Sequence, residues 1–234
     1  MSRAVAINVG ANTTLPGFRG PVRPDRRFAY VPIPEREPTA DPVPTYADLS
    51  FPLPVDVTEV ADRRVHLDPE FAGVHGSTTY TYGDEHGVKA GPLSALDPDD
   101  SLFFYATLSI RGDASSRDVP TEWGAFLIGE FRVERAITGA TYRELDAHER
   151  ARFASNAHVK RESFDAKVLV AGSEDSRLLD RAVPLSAPDA GATAGPLVTD
   201  LSSDSGKGPW WRRVLRYDAE PTERLRAVVD DRQP

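Results

Sequence analysis

The sequence predicts an α+β fold with long irregular connections, and three observations carry that prediction. Two apolar, aromatic runs, Leu102–Ile110 and Trp123–Ala136, flank a polar stretch and read as paired antiparallel strands. One amphipathic segment from Thr141 or Tyr142 to Ala154 reads as a helix. The whole chain holds 20 Pro and 17 Gly, the mark of many turns and loops.

From the N-terminus, residues 3–9 form a β-branched run and a first strand. Gly10 opens an irregular loop with Pro16, Gly17, Gly20, Pro21 and Pro24. Phe28–Ile33 reads as a second strand, held to a sheet edge by Pro32 and Pro34, since proline cannot donate to a ladder. Residues 34–56 form an extended Pro-rich loop with one turn at Tyr46–Leu49. Residues 66–91 should hold only short structure, and Leu93–Leu96 one helical turn. Asp97, Pro98, Asp99 and Asp100 make a tight turn before the first central strand. In the second central strand Phe126, Ile128, Phe131 and Val133 nearly alternate, and Gly129 marks a bulge where the alternation breaks.

Thr141 with Glu144 three residues on reads as a capping box for the helix. Asn156–Arg161 follows as a loop, Lys167–Ala171 as a strand and Ser176–Ala182 as a short helix. Residues 186–209 read as loop, Arg213–Tyr217 as a last strand and Thr222–Val229 as a terminal helix. No internal repeat or linker divides the chain, so residues 1–234 read as one domain.

Composition excludes several chemistries. The absence of Cys removes disulfides, thiolate nucleophiles and Cys-based metal centres. No apolar run of membrane-spanning length occurs, and the N-terminal segment falls short of a signal peptide, so the cytoplasm is the expected location. The net charge of −8 argues against broad, non-specific coating of nucleic acid but leaves room for a local basic groove. An Asp-rich, Lys-poor composition suits a salt-adapted cytoplasm of the halophilic archaeal type; an Arg bias from a GC-rich genome produces the same balance.

Candidate site residues fall into six groups. Phe103, Phe104, Tyr105 and Trp123 offer flat rings; alternation along a strand sends one Phe to the core, while Tyr105 and Trp123 border a loop where a base could stack. If Asn156–Arg161 is extended, Asn156, His158 and Lys160 share one side, supplying an amide, a proton carrier and a cation, with Arg161 alongside. Ser176 and Arg177 open the expected short helix, a place for phosphate or a routine cap. Asn8, Asn12, Thr13 and Arg19 occupy a loop at a strand end, where sites often form. Trp210, Trp211, Arg212 and Arg213 read either as a nucleic-acid rim or as a hydrophobic cap. His66, His75 and His86 lie near Asp68, Asp84 and Glu85 without HxH or HExxH spacing, so no metal or other cofactor is expected.

Two resemblances rest on these residues. Asp99-Asp100-Ser101-Leu102-Phe103-Phe104-Tyr105, followed by Phe126-Leu127-Ile128-Gly129-Glu130-Phe131-Arg132-Val133, resembles PUA-like barrels of the EVE, YTH and ASCH kind. Asp99 stands where those barrels usually carry Gly. The order INVGANTT, FRGPVRPDRRFAYVPIPE, YGDEH, FFYATL, WGAFLIGEFRVERA, NAHVKR, VLVAGSEDSRLLDRAVPLS and WWRRVLRY resembles the third type of nucleotide modification associated domain over most of the chain. The first resemblance implies a PUA-like mixed β-barrel with peripheral short helices and long Pro-rich loops; the second implies a role linked to hypermodified bases in DNA. It places Asn12, Arg19, His158, Arg161, Ser176 and Arg177 among the motif positions.

The expected function is binding of a modified base or nucleotide. Tyr105 or Trp123 would stack it, Asn156 and His158 read its edge, and Arg161, Arg177 or Lys160 hold phosphate. Alternatives are a transferase or hydrolase using His158 as general acid–base, and a non-catalytic subunit whose Pro-rich loop docks a protein partner of a modification system.

Overall fold

The structure, a computed structural model, describes residues 2–112, 120, 122–203 and 207–234. In chain order the strands are β1 (Ala4–Asn8), β2 (Pro21–Val22), β3 (Ile33–Pro34), β4 (Val65–His66), β5 (Thr81–Asp84) and β6 (Ser101–Ile110). They continue as β7 (Trp123–Thr138), β8 (Val168–Gly172), β9 (Arg177–Pro184), β10 (Ser186–Ala187), β11 (Ala190–Ala194) and β12 (Leu215–Tyr217). The helices are α1 (Gly87–Ser94), α2 (Gly139–Glu144), α3 (Ala147–Ala151), α4 (Ala157–Lys160), α5 (Pro196–Thr199) and α6 (Ala219–Asp231). This is a mixed α+β architecture, mostly sheet with few helices.

The two apolar runs pair as their pattern predicts. β6 and β7 lie antiparallel, with Leu102 opposite Phe131 and Ala106 opposite Phe126. Phe104 faces Gly129 but Tyr105 faces Leu127, which leaves Ile128 as the extra residue of a bulge. Gly129 is required there, because a Cβ would sit 2.4 Å from the Phe71 ring. Phe71, Phe104 and Phe131 meet edge-on, with Phe104 and Phe131 centroids 4.6 Å apart. Phe103 and Phe104 are both fully buried, because both faces of β6 are covered and the alternation selects no outward ring.

β7 changes partners along its length. Its first half pairs with β9 through Phe126–Glu130, and its second half with β8 through Val133–Thr138. The main strand order is β12-β1-β6-β7-β8-β5, with β2 beside β6 and β9 beside β7. Among the described residues this path has two ends, β12 and β5. β1 runs parallel to β6, so its C-terminal Asn8 emerges beside Tyr105. The turn before β6 holds Asp99 at φ +72°, the left-handed region that glycine favours.

Several sequence expectations need correction. The stretch expected as a second strand, Phe28–Ile33, contributes only a bridge from Phe28 to Val22 and the start of β3; Pro32 and Pro34 supply no N–H for a longer ladder. The long helix is two short ones, because Asp146 caps a second start and Leu145 turns extended. Thr138, not Thr141, caps α2, and its side chain accepts from the Thr141 amide. Asn156–Arg161 is not extended: Asn156 caps the short helix α4, which removes the alternation that aligned Asn156, His158 and Lys160.

Ser176–Ala182 is not a helix. Arg177–Pro184 is strand β9, because Leu178 and Val183 complete the face of β7 opposite Gly129 and Leu127. Residues 186–209, expected as loop, carry the β10–β11 ladder and α5. Asp99-flanking turn, Tyr46 turn, β8, β12 and α6 lie where the sequence placed them. The loop Arg111–Glu122 falls largely outside the described residues. No helix among the described residues is long and apolar enough to cross a membrane.

The Pro-rich segment folds back on the molecule. Tyr46, Val60 and Val65 bury against Ala11 and Val31 in a small core of their own. The Ala40 amide donates to Lys160 O at 2.8 Å and the Glu162 amide to Pro38 O at 3.0 Å, clamping the segment across α4.

Gly129→Ala should force the Phe71 ring out of its place and lower the unfolding free energy by about 1–3 kcal/mol. Urea denaturation of the two proteins checks this; an unchanged midpoint would mean that the bulge tolerates a methyl group.

Candidate functional site: a buried histidine–carboxylate corner and a basic chamber

β3 and β4 pair with Ile33 opposite His66, so Glu35, just beyond β3, comes to lie beside that histidine. His66 Nδ1 is 2.6 Å from Glu35 Oε2. Burial opposes the Glu35 charge, but hydrogen bonds from His66, the Glu37 amide and Arg161 outweigh it and hold the carboxyl down to about 2. Glu35 is therefore an acceptor, and the proton of His66 sits on Nδ1. Desolvation is the largest influence on His66 and lowers its pKa, against the bond to Glu35, which raises it.

α4 brings in the second half. The Asn156 side chain caps the helix by accepting from the His158 amide at 3.1 Å. Its Nδ2 donates to Asp68 Oδ1 at 3.0 Å. His158 Nδ1 lies 2.8 Å from Asp165 Oδ1. Desolvation disfavours a charged His158, but Asp165 and Asp68 more than compensate and raise its pKa. Asp165 is itself held below the usual carboxylate range: burial opposes this, and the bond from His158 together with the charges of His158 and Arg161 prevails.

Arg161 closes the corner. Its Nη2 donates to Glu35 Oε1 at 3.0 Å, and its Nη1 contacts both Glu85 and Asp165. The guanidinium is buried, and only its planar fork reaches three carboxylates from one position. Asp68 receives the Gly83 amide on both oxygens, at 3.0 and 3.1 Å. Burial nonetheless dominates and pushes Asp68 up to about 8. Gly83 must lack a side chain, since a Cβ would meet His158 Cδ2 at 2.6 Å. The two imidazoles pack edge-to-face with centroids 4.8 Å apart.

This corner forms one wall of a cavity of about 200 Å³ whose other wall includes Asn8, Asn12, Tyr82 and Lys89. Lys89 Nζ is 3.1 Å from Asp84 Oδ2 and donates to the Tyr82 hydroxyl at 3.1 Å. Asn8, Asn12 and Lys89 also line a second chamber of about 370 Å³, together with Arg19, Trp211 and Arg212. Arg19 lies 4.4 Å over the Trp123 ring, and its Nε is buried without a partner among the described residues. Trp211 meets Trp123 edge-on at 5.4 Å.

The structure thus gathers Asn12, His158 and Arg161 around one cavity, with Asn156 directly behind, and sets Arg19 in the adjoining chamber above Trp123. Other expected residues lie elsewhere. Tyr105 is fully buried and its hydroxyl donates to Arg213 O at 2.6 Å, so its ring is part of the core. Lys160 is half-buried on α4, outside the cavity lining. Ser176 is buried, its Oγ accepting from the Arg132 amide at 3.1 Å. Arg177 pairs with Asp230 and lies 3.8 Å from Glu130 Oε2. No helix begins at Ser176–Arg177, so the anion site expected there has no basis. His75 bonds Tyr30 O at 2.9 Å beside Phe51, and His86 is exposed near Glu85.

Glu35 and Asp165 carry no signal in the sequence, and Asp68 and Glu85 stand there only beside histidines that lack a metal spacing. His66 was grouped with His75 and His86 by proximity in the chain, whereas its structural partner is His158. The one local signal is Tyr82-Gly83-Asp84-Glu85-His86, where a glycine inside a strand marks a close approach.

Fold and site together define an α+β protein with a buried histidine–carboxylate corner opening onto a basic, tryptophan-lined chamber. The chain belongs to the nucleotide modification associated domain 3 family, whose model matches residues 3–229. No curated protein and no solved structure matches it.

Arg161→Ala should leave Glu35, Glu85 and Asp165 facing one another without a cation and cost about 3–5 kcal/mol of stability. Arg161→Lys should recover only part, because an ammonium cannot span all three partners. Chemical denaturation of the two variants tests this, and equal stability of Lys and wild type would refute the multi-point clamp.

Proposed function

We propose that the chain binds a nucleotide, or a nucleic-acid segment, bearing a modified base, and serves in a base-modification system as one domain. The observation that carries this reading is the shared wall: Asn8, Asn12 and Lys89 line both the basic chamber and the histidine–carboxylate cavity. A phosphate suits Arg19 and Arg212, a base suits the exposed part of Trp211, and a base substituent can then reach the second cavity. Family membership supports the link to nucleotide modification. The PUA-like likeness of the central strands belongs to the same reading, supported by the left-handed turn at Asp99 and the bulged pair that leads to Trp123.

A second reading, catalysis within that modification, is favoured by His158. It is 3% exposed, lines the cavity and is oriented by Asp165, which is how a general acid–base is held.

Nucleotides and short oligonucleotides carrying hypermodified or ordinary bases, titrated against tryptophan fluorescence, test the first reading. Modified ligands should bind more tightly. Arg19→Ala and Arg212→Ala should each weaken binding roughly 10-fold, the loss of one charge-assisted hydrogen bond. Equal affinity for modified and ordinary bases at every salt concentration overturns it. For the second reading, His158→Gln should abolish turnover while nucleotide binding persists.

A further inference from the structure

The two buried histidines at the corner share an arrangement that hydrogen bonding alone does not complete. Each has its Nδ1 tied to a carboxylate, His66 to Glu35 at 2.6 Å and His158 to Asp165 at 2.8 Å. Those bonds place the protons on Nδ1 and turn both Nε2 lone pairs toward the same atom. His66 Nε2 lies 3.8 Å and His158 Nε2 3.6 Å from Asp68 Oδ2. Both separations exceed hydrogen-bond length. Three electron-rich atoms, one from each of His66, Asp68 and His158, thus converge within 4.8 Å of one another among buried residues. A proton or a cation between them relieves their mutual repulsion.

We infer that His66, Asp68 and His158 ligate a first-row divalent transition-metal ion. Two imidazoles and one carboxylate are a ligand set suited to iron, zinc and related ions. A carboxylate behind each ligating histidine, on the nitrogen that does not bind, is the support such ligands usually have. Asp68 is oriented in the same way: Asn156 holds Oδ1, the Gly83 amide is shared between both oxygens, and Oδ2 is the one that faces the histidines. Charge agrees, because three carboxylates, Glu35, Glu85 and Asp165, share the single guanidinium of Arg161. All three ligands line the cavity of about 200 Å³, so the remaining coordination positions face it and are open to water or a substrate oxygen. A neighbouring trio, Glu85, His158 and Asp165, is a poorer candidate, since Arg161 already engages both of its carboxylates.

The assignment does not depend on nucleotide binding, and the two fail separately. A metal at this point takes the His158 Nε2 lone pair and so replaces the acid–base role of the second reading. The full chain, stripped with chelator and confirmed folded by circular dichroism, is titrated with Zn²⁺, Mn²⁺ and Co²⁺. About one equivalent should bind. Cobalt should develop the visible bands of a nitrogen- and oxygen-ligated site, and metal should raise the melting temperature. His66→Ala and His158→Ala should abolish binding, Asp165→Asn should weaken it about 10–100-fold, and His148→Ala, on the exposed face of α3, should leave it unchanged. Absence of saturable binding by the folded wild-type chain overturns the assignment. So does binding lost in His148→Ala but kept in His66→Ala and His158→Ala. Should the histidine variants unfold, the wild type alone decides: a melting temperature indifferent to both metal and chelator overturns the site.

Discussion

The guanidinium of Arg161 is the constraint on which the functional corner depends. It joins Glu35, Glu85 and Asp165, partners that lie 126, 76 and 4 residues away in the chain. Burying Arg161 and Glu35 together is expensive, because each loses its hydration, while Glu85 and Asp165 stay half-buried. The arrangement holds because one planar group meets several carboxylates at once and each carboxylate has a further donor or a histidine. Without that clamp the Pro-rich segment would lose the contact that draws Glu35 to His66. The backbone bonds from Ala40 and Glu162 across α4 are the mechanical half of the same closure.

Beneath the clamp lies a scaffold of another kind. β7 first pairs with β9 and then with β8, so one strand serves two sheet regions and the bulge at Ile128 takes up the change. That apolar framework fixes β5 and α4 relative to each other. Gly83 then lets His158 approach the strand backbone, and Asn156 bonds Asp68 while capping α4. Polar precision at the corner is thus inherited from apolar packing a few ångströms away.

The scaffold was legible in the sequence, and the reason is period. β6 and β7 announce themselves by dense β-branched and aromatic residues, β8 by five apolar or small residues, and the bulge by a glycine in an alternating run. Where two patterns compete the reading failed. Ser176–Ala182 has leucines and arginines at spacings that suit a helix, yet its pairing with β7 decides for strand. Asn156 looked like an edge reader in a loop but is a helix cap, a role that short polar residues fill equally well. Asn12, Arg19, His158 and Arg161 were found because uncommon polar types stood in marked segments. Glu35 was not, because a carboxylate in an acidic chain carries no local mark and its partner Arg161 lies far along the sequence; Asp68 stood out only as a neighbour of His66, since its partner Asn156 is equally distant.

The wall shared by the two chambers has an evolutionary consequence. Everything in the histidine–carboxylate corner comes from residues between Glu35 and Asp165, whereas the far side of the basic chamber uses Trp211 and Arg212 in a short turn near the C-terminal end. On the proposed reading, part of the grip on a ligand is encoded apart from the corner. Mutations at Trp211 or Arg212 can then alter that grip while every residue of the corner stays in place.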